Sequence, residues 1–264
     1  MNKFQPKIAT VRLDLADDAC VDICCDAIQS GVIQVVTAAI PCGTASRARD
    51  LPNGPPPLRS LDHPYGLPSL AGLNKVRVEK ANSIYANAGR ILSFANSFDC
   101  IALAKNPDRA YTWILDEFLH LLKLGFVDTV FQHCKWTGNR PMRAKWTRIR
   151  VNKQVFLSLA GECTQAHEHL PWGRTAAGFD TAGEAAYPPE MCSEIVNICV
   201  KLLIDKGFKF FPKAHNLQLE DETDFKTQKG NCSKTASRKQ APALDAGVFG
   251  DKAHLSCRSH FLGG

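Results

Sequence analysis

No apolar run in this chain reaches the roughly eighteen residues that a membrane-spanning helix needs. The N-terminus, MNKFQPKIATVRLDLADD, also lacks the apolar core segment of a secretory leader. Both absences argue for an intracellular protein, nuclear or cytoplasmic, with no membrane partner. A disulfide framework is missing too. The eleven cysteines are odd in number and follow no repeated spacing, and Cys24 and Cys25 are adjacent, so they read as reduced thiols. No internal repeat is visible, which excludes solenoid architectures. From Cys134 to Lys153 there is no acidic residue at all, although Lys135, Arg140, Arg143, Lys145, Arg148, Arg150 and Lys153 all fall there.

What is present is an ordinary globular composition. The chain has 264 residues, 45% hydrophobic and 22% charged, with a formal net charge of +6. That balance permits an anionic partner without demanding one, and nothing points to an obligate protein partner. Lys7 to Leu15 reads as a strand ending near Asp14. A helix capped by Asp17 or Asp18 runs through Cys20, Val21, Cys24 and Ile28. A second helix begins at Asn74, with Val76, Ala81, Ile84, Ala88, Ile91, Leu92 and Ala95 at helical spacing. Cys100 to Ala104 reads as a buried strand, Trp113 to Leu122 as a helix stopped by Gly125, and Phe126 to Gln132 as another strand. Val155 to Leu159 has strand character. Pro188 and Pro189 open a last helix that closes at Gly207. Strands alternating with helices in this order predict a doubly wound α/β sheet. The polar, aperiodic stretch from Lys213 to Gly264 reads as a disordered tail, so residues 1–212 form the expected domain.

One stretch organises the rest. The apolar run Val32, Ile33, Val35 and Val36 leads to Pro41-Cys42-Gly43, where a loop studded with proline begins. A buried parallel strand delivers residues in this way to the carboxyl edge of a sheet, where ligands bind. Cys42 stands at the delivery point, with Arg47 and Arg49 close enough in sequence to favour a thiolate nucleophile. Spacing alone equally allows a small residue buried at a strand end.

IPCGTASRAR, then GPPPLRS, HPYGLP and KNPDRAYTW, resembles the DNA cytosine-C5 methyltransferase-like proteins over roughly residues 7 to 205. Those proteins carry a Pro-Cys motif after the fourth strand and an acidic-Asn-Pro or acidic-Asn-Val motif after the fifth. Here the matching residues are Pro41-Cys42 and Lys105-Asn106-Pro107. The resemblance implies a Rossmann-like methyltransferase sheet with DNA as partner and S-adenosylmethionine as cofactor. It makes Cys42 the nucleophile that adds to C6 of a flipped-out cytosine, with Asn106 beside it. Pro41, and Asp14 at the adenine end, are the cofactor positions. A carboxylic acid normally holds ring N3 during the addition. Lys105 stands in that place, and a cation does not share a proton as a carboxylate does. No GxG-type loop, the usual cradle for the cofactor, occurs between Met1 and Gly43. The expectation is therefore a sheet lacking its first strands, a degenerate or partial enzyme truncated at its cofactor-binding end, which as given does not bind S-adenosylmethionine.

The later segment FQHCKWTGNRPMRAKWTRI resembles the part of the family that places basic residues beside the target base. Arg140, Arg143, Lys145 and Arg148, together with Arg47 and Arg49, are thus candidate nucleic-acid contacts, with Trp136 or Trp146 available for stacking. The competing reading is a solvated basic loop with its tryptophans tucked into the core. Cys163-x3-His167-x-His169, with Cys192 downstream, supplies soft ligand types in no familiar zinc spacing, and no metal is expected. Two alternatives to an enzyme remain: a nucleic-acid-binding module without catalysis, and a mobile-element remnant with no retained role.

Overall fold

A computed structural model describes residues 11–52, 54–137, 141–164, 167–175, 178–179 and 187–209. The expected tail lies outside the described residues. The elements in order are α1 (Asp18–Gln29), β1 (Val35–Ala39), α2 (Gly72–Ser97), β2 (Ile101–Pro107), α3 (Asp116–Lys123), β3 (Val127–Gln132), β4 (Trp146–Val151), a short hairpin of β5 (Arg174–Thr175) and β6 (Gly178–Phe179), and α4 (Pro189–Asp205).

The helices form where the apolar period demands. In α1 the Asp17 carboxylate accepts from the Ala19 N–H, and Val21, Cys24, Cys25 and Ile28 make one buried stripe. Pro189 opens α4, whose buried stripe is Met191, Ile198, Cys199 and Leu203. Tyr111–Ile114 forms a 3₁₀ turn, so α3 starts only at Asp116.

The main sheet has four strands in the order β1-β2-β4-β3. β1 pairs with β2 in parallel, with Ala39 opposite Lys105. β4 is antiparallel to both β2 and β3, so β3 runs the same way as β1 and β2. The sheet is therefore open and mixed. Both faces are covered. Ala102 and Ala104 of β2 face a core built with α1, α2 and α3, including Tyr85, Leu92, Phe118 and Leu121. Ile101 and Leu103, on alternate positions, face the second core with Phe131, Ile149, Phe156, Leu159 and α4. Side chains alternating across a doubly covered strand explain the unbroken apolar run of β2.

Three expectations are corrected. Val11 to Leu15 is not a strand; residues 7–10 lie outside the described residues. Val155–Leu159 belongs to a 3₁₀ segment, Gln154–Leu159, whose Phe156 and Leu159 plug the second core. The basic stretch contains β4. Thr147, Ile149 and Val151 alternate there with Trp146, Arg148 and Arg150, a strand pattern hidden by its charge.

The proline-rich loop after β1 is held from inside. Arg59, only 1% exposed, donates to the Thr44 carbonyl at 3.2 Å, the Thr44 hydroxyl at 3.1 Å, the Pro64 carbonyl at 2.6 Å and Asn82 Oδ1 at 2.8 Å. Its guanidinium also lies over the Tyr85 ring. The Tyr85 hydroxyl donates to the Pro41 carbonyl at 2.5 Å. These bonds replace the secondary structure that the prolines forbid.

Candidate active site at the carboxyl edge of the sheet

Cys42 follows β1 by three residues, and Asn106 lies at the carboxyl end of the parallel neighbour β2. Both therefore stand at one edge of the sheet. The Cys42 side chain is exposed. Its carbonyl accepts from the Ala45 N–H at 3.0 Å and the Ser46 N–H at 2.8 Å, which fixes the turn that presents the thiol. Asn106 is 1% exposed and donates to Thr112 Oγ1 at 2.9 Å. Its side chain braces the 3₁₀ turn before α3, and its Oδ1 is buried without a partner.

Around the thiol the structure collects Lys105 and Lys145 together with Tyr187 and His133, the last two being residues to which the sequence assigned no role. The Lys105 amine sits 4.1 Å from the centre of the Tyr187 ring. Burial, reinforced by the nearby Lys145, lowers its pKa to about 7, and Cys42 opposes the change. Burial raises the Tyr187 phenol, and Cys42 adds to that shift. The His133 ring is fully buried, shares a hydrogen bond of 2.7 Å with Thr147 Oγ1 through Nε2, and packs edge-on against Tyr187. Burial, with Lys145 and Lys105 nearby, drops its pKa to about 3, so it is neutral. Cys42, Lys105, Tyr187, His133 and Lys145 thus form one constellation from five separate parts of the chain. An apolar position for Tyr187 and a strand end for His133 left no periodic signal that could have found them.

The candidate nucleic-acid residues separate into groups. Arg47 pairs with Asp50 at 2.9 Å and lies over the Tyr111 ring. Arg49 donates to the Gly43 carbonyl at 2.7 Å and the Pro56 carbonyl at 2.9 Å. Both arginines hold the loop around Cys42. Arg148 bridges Asp108 at 2.9 Å and Asp128 at 3.0 Å, with Trp113 beneath it. Arg150, 1% exposed, takes Asp128 at 2.7 Å and the Phe118 carbonyl at 2.7 Å. A stretch without acids thus finds its acids on β3 and in the turn after β2. Arg143 donates to the Pro171 carbonyl at 3.0 Å and faces the Trp172 ring. Arg140 lies outside the described residues. Trp146 is partly exposed, whereas Trp136 packs on Phe131.

The positions assigned to S-adenosylmethionine are otherwise engaged. The Asp14 carboxylate accepts from the Ala16 N–H at 3.0 Å and pairs with Lys80 at 3.2 Å, which together hold its pKa below the usual range. The Pro41 carbonyl is taken by Tyr85. The cleft beside β1 is aliphatic, lined by Leu15, Val36, Ile40, Ile84, Ala88 and Leu92. The described residues at these positions do not fit the cofactor.

A second cluster stands after β3. Cys134 Sγ lies 3.4 Å from His169 Nε2, and Cys163 Sγ lies 3.5 Å from His167 Nε2.

No protein-family model matches the chain, nor does any curated protein or solved structure. Fold and site by themselves define an α/β protein with an open mixed sheet and an exposed cysteine at its carboxyl edge, near the amine of Lys105. No helix among the described residues is long and apolar enough to cross a membrane.

Proposed function

We propose that this chain is a divergent DNA cytosine-C5 methyltransferase-like protein that retains the base-attacking half of the chemistry. The observation that carries this is the presentation of an exposed Cys42 at the same sheet edge as Asn106, with the buried Lys105 amine within electrostatic reach of the sulfur. Three co-directional strands joined through α2 and α3, with β4 inserted antiparallel, support a Rossmann-like sheet as the frame.

The chemistry follows from the residue types. The Cys42 thiolate attacks C6 of an extrahelical cytosine, and the electron pair of the C5–C6 bond shifts into the ring. Lys105 occupies the place of the family's carboxylic acid. As an ammonium titrating near neutrality it donates a proton to N3 as the addition proceeds, which is the half of the acid's task that drives attack. C5 then takes a proton from water. Loss of the original C5 hydrogen to water, expulsion of the thiolate and return of the N3 proton to the Lys105 amine restore cytosine and the starting enzyme.

This sequence of steps exchanges the C5 hydrogen without any methyl donor, and that is its test. Single-stranded DNA carrying tritium at cytosine C5 is incubated with the chain and with Cys42→Ala. Tritium release by the former and none by the latter is the expected result. Equal release by both, or none by either despite DNA binding, removes Cys42 from the chemistry and leaves a nucleic-acid-binding module. That second reading rests on Arg143, Trp172, Lys145 and the partly exposed Trp146 lying on neighbouring segments.

A further inference from the structure

We propose that Cys134, Cys163, His167 and His169 bind one zinc ion that pins residues 161–164 and 167–173 to the end of β3. One ligand atom from each residue lies within 4.8 Å of the other three. A tetrahedral zinc with Zn–S near 2.3 Å and Zn–N near 2.0–2.1 Å requires S···N edges of about 3.6 Å. Two S···N separations in the cluster are 3.4 and 3.5 Å. The two imidazoles stand 5.1 Å apart, centre to centre, and are inclined at 66°, so they do not stack on each other.

The backbone holds the donors in place. Cys134 lies in the 3₁₀ turn His133–Trp136 that follows β3, where its carbonyl accepts from both the N–H and the hydroxyl of Thr137. Gly161 exchanges hydrogen bonds with β3, through the Val130 carbonyl and the Gln132 N–H. The Cys163 N–H donates to Gln132 Oε1 at 2.6 Å. His169 is bridged to Met142, and the Leu170 N–H donates to the Met142 carbonyl. Three passes of the chain therefore converge on one point.

The Cys134 and Cys163 thiols also approach each other, so all four donors converge on one point that a shared cation would occupy. The loop also needs an anchor other than hydrophobic packing, since none of its described residues from Gly161 to Gly173 joins either core. Segments that cannot bury enough apolar surface are commonly fixed by a metal or a disulfide. Two thiolates and two neutral imidazoles make a soft S₂N₂ set, the tetrahedral preference of zinc. Binding releases the two thiol protons to solvent and leaves the site electrically neutral, so it adds no repulsion against Lys135 or Arg143 nearby. Cys192, adjacent in the pattern of soft ligands along the sequence, is not a member.

The full chain, purified under reducing conditions with Zn²⁺ added and excess removed, is analysed for metal content. About one zinc per chain is expected. Cys134→Ser and His169→Gln should lose it, and Cys192→Ser should keep it. In case the variants fold poorly, the unaltered chain is also titrated with Co²⁺. Intense tetrahedral d–d bands with thiolate-to-cobalt charge transfer, displaced by Zn²⁺, are the expected spectrum. A chain without metal, a weak octahedral cobalt spectrum, full zinc retention in Cys134→Ser, or a Cys134–Cys163 disulfide recovered with Zn²⁺ present would each overturn the proposal.

Discussion

Lys105 shows how far one residue's chemistry can depart from what its neighbours in sequence suggest. Between Ala104 and Asn106 it reads as an ordinary cation replacing an acid. In the structure its stem runs into the sheet edge and its amine rests on Tyr187, where solvation is poor and Lys145 adds repulsion. The folded pKa of about 7 lies below the unfolded value of 10.5. Between those values the unfolded chain binds the extra proton, so stability rises with pH across that window, and the penalty is fully present below about 7. Lys105→Met removes the penalty while keeping most of the volume. The variant should be more stable than the parent by roughly 1–3 kcal/mol at about pH 6, a range already reduced for partial solvent contact. The gain should shrink as pH approaches 10. Urea denaturation of both proteins at several pH values measures it, and a gain independent of pH would mean that Lys105 is charged throughout.

At the scale of elements, α2 and α3 approach each other closely at one glycine. Gly89 lies within α2 and is buried. A Cβ there would stand 2.8 Å from Glu117 Cβ and 3.5 Å from the Glu117 carbonyl oxygen. Glu117 cannot swing away freely, because its carboxylate accepts from the Tyr65 hydroxyl at 2.8 Å and so ties the proline-rich loop to α3. In an open helix Gly→Ala stabilises by about 1 kcal/mol. Here the sign should reverse, with Gly89→Ala destabilising by about 1–3 kcal/mol through overpacking. Thermal unfolding decides it, and a stabilised variant would show that α3 can shift without cost. The same logic of local pattern against tertiary neighbour applies to β4. Its alternation of Thr147, Ile149 and Val151 was visible, but Arg148 and Arg150 between them, in a stretch without acids, disguised a strand as a surface loop.

At the scale of the whole molecule, several of the cations that make up the formal charge of +6 are paired with acids within the described residues. Arg148 and Arg150 are neutralised by Asp108 and Asp128, and Lys153 pairs with Asp99 at 2.5 Å. Of the candidate polyanion contacts, Arg143 and Lys145 lie together on the segment that leads into β4, with Arg143 over the Trp172 ring. Replacing those two with alanine should lower the slope of log affinity against log salt by up to about 0.9 for each phosphate they had neutralised on duplex DNA. Arg148→Ala should leave the slope unchanged and reduce stability instead, since it removes the cation that bridges Asp108 to Asp128, and Asp128 keeps only Arg150. Binding isotherms at several salt concentrations test both halves. A slope that falls equally in Arg148→Ala would mean that its ion pairs open on DNA.

Periodicity alone determined α1, α2 and α4, the strands β1 to β3 and the arrival of Cys42 at a strand's carboxyl end, because each depends on apolar spacing within one short segment. The same local character concealed the rest. The buried pairing of Arg150 with Asp128, the clamp of Arg59 on Thr44 and the weakened hold of Lys105 on its proton depend on residues brought together from distant segments. Cys163, His167 and His169 announced soft ligands in the sequence, but their fourth companion, Cys134, lies on the far side of β4, and Cys192 was the nearer candidate in pattern. Hydrophobic period is written along the chain, whereas desolvation, ion pairing and ligand geometry exist only once the chain has folded back on itself.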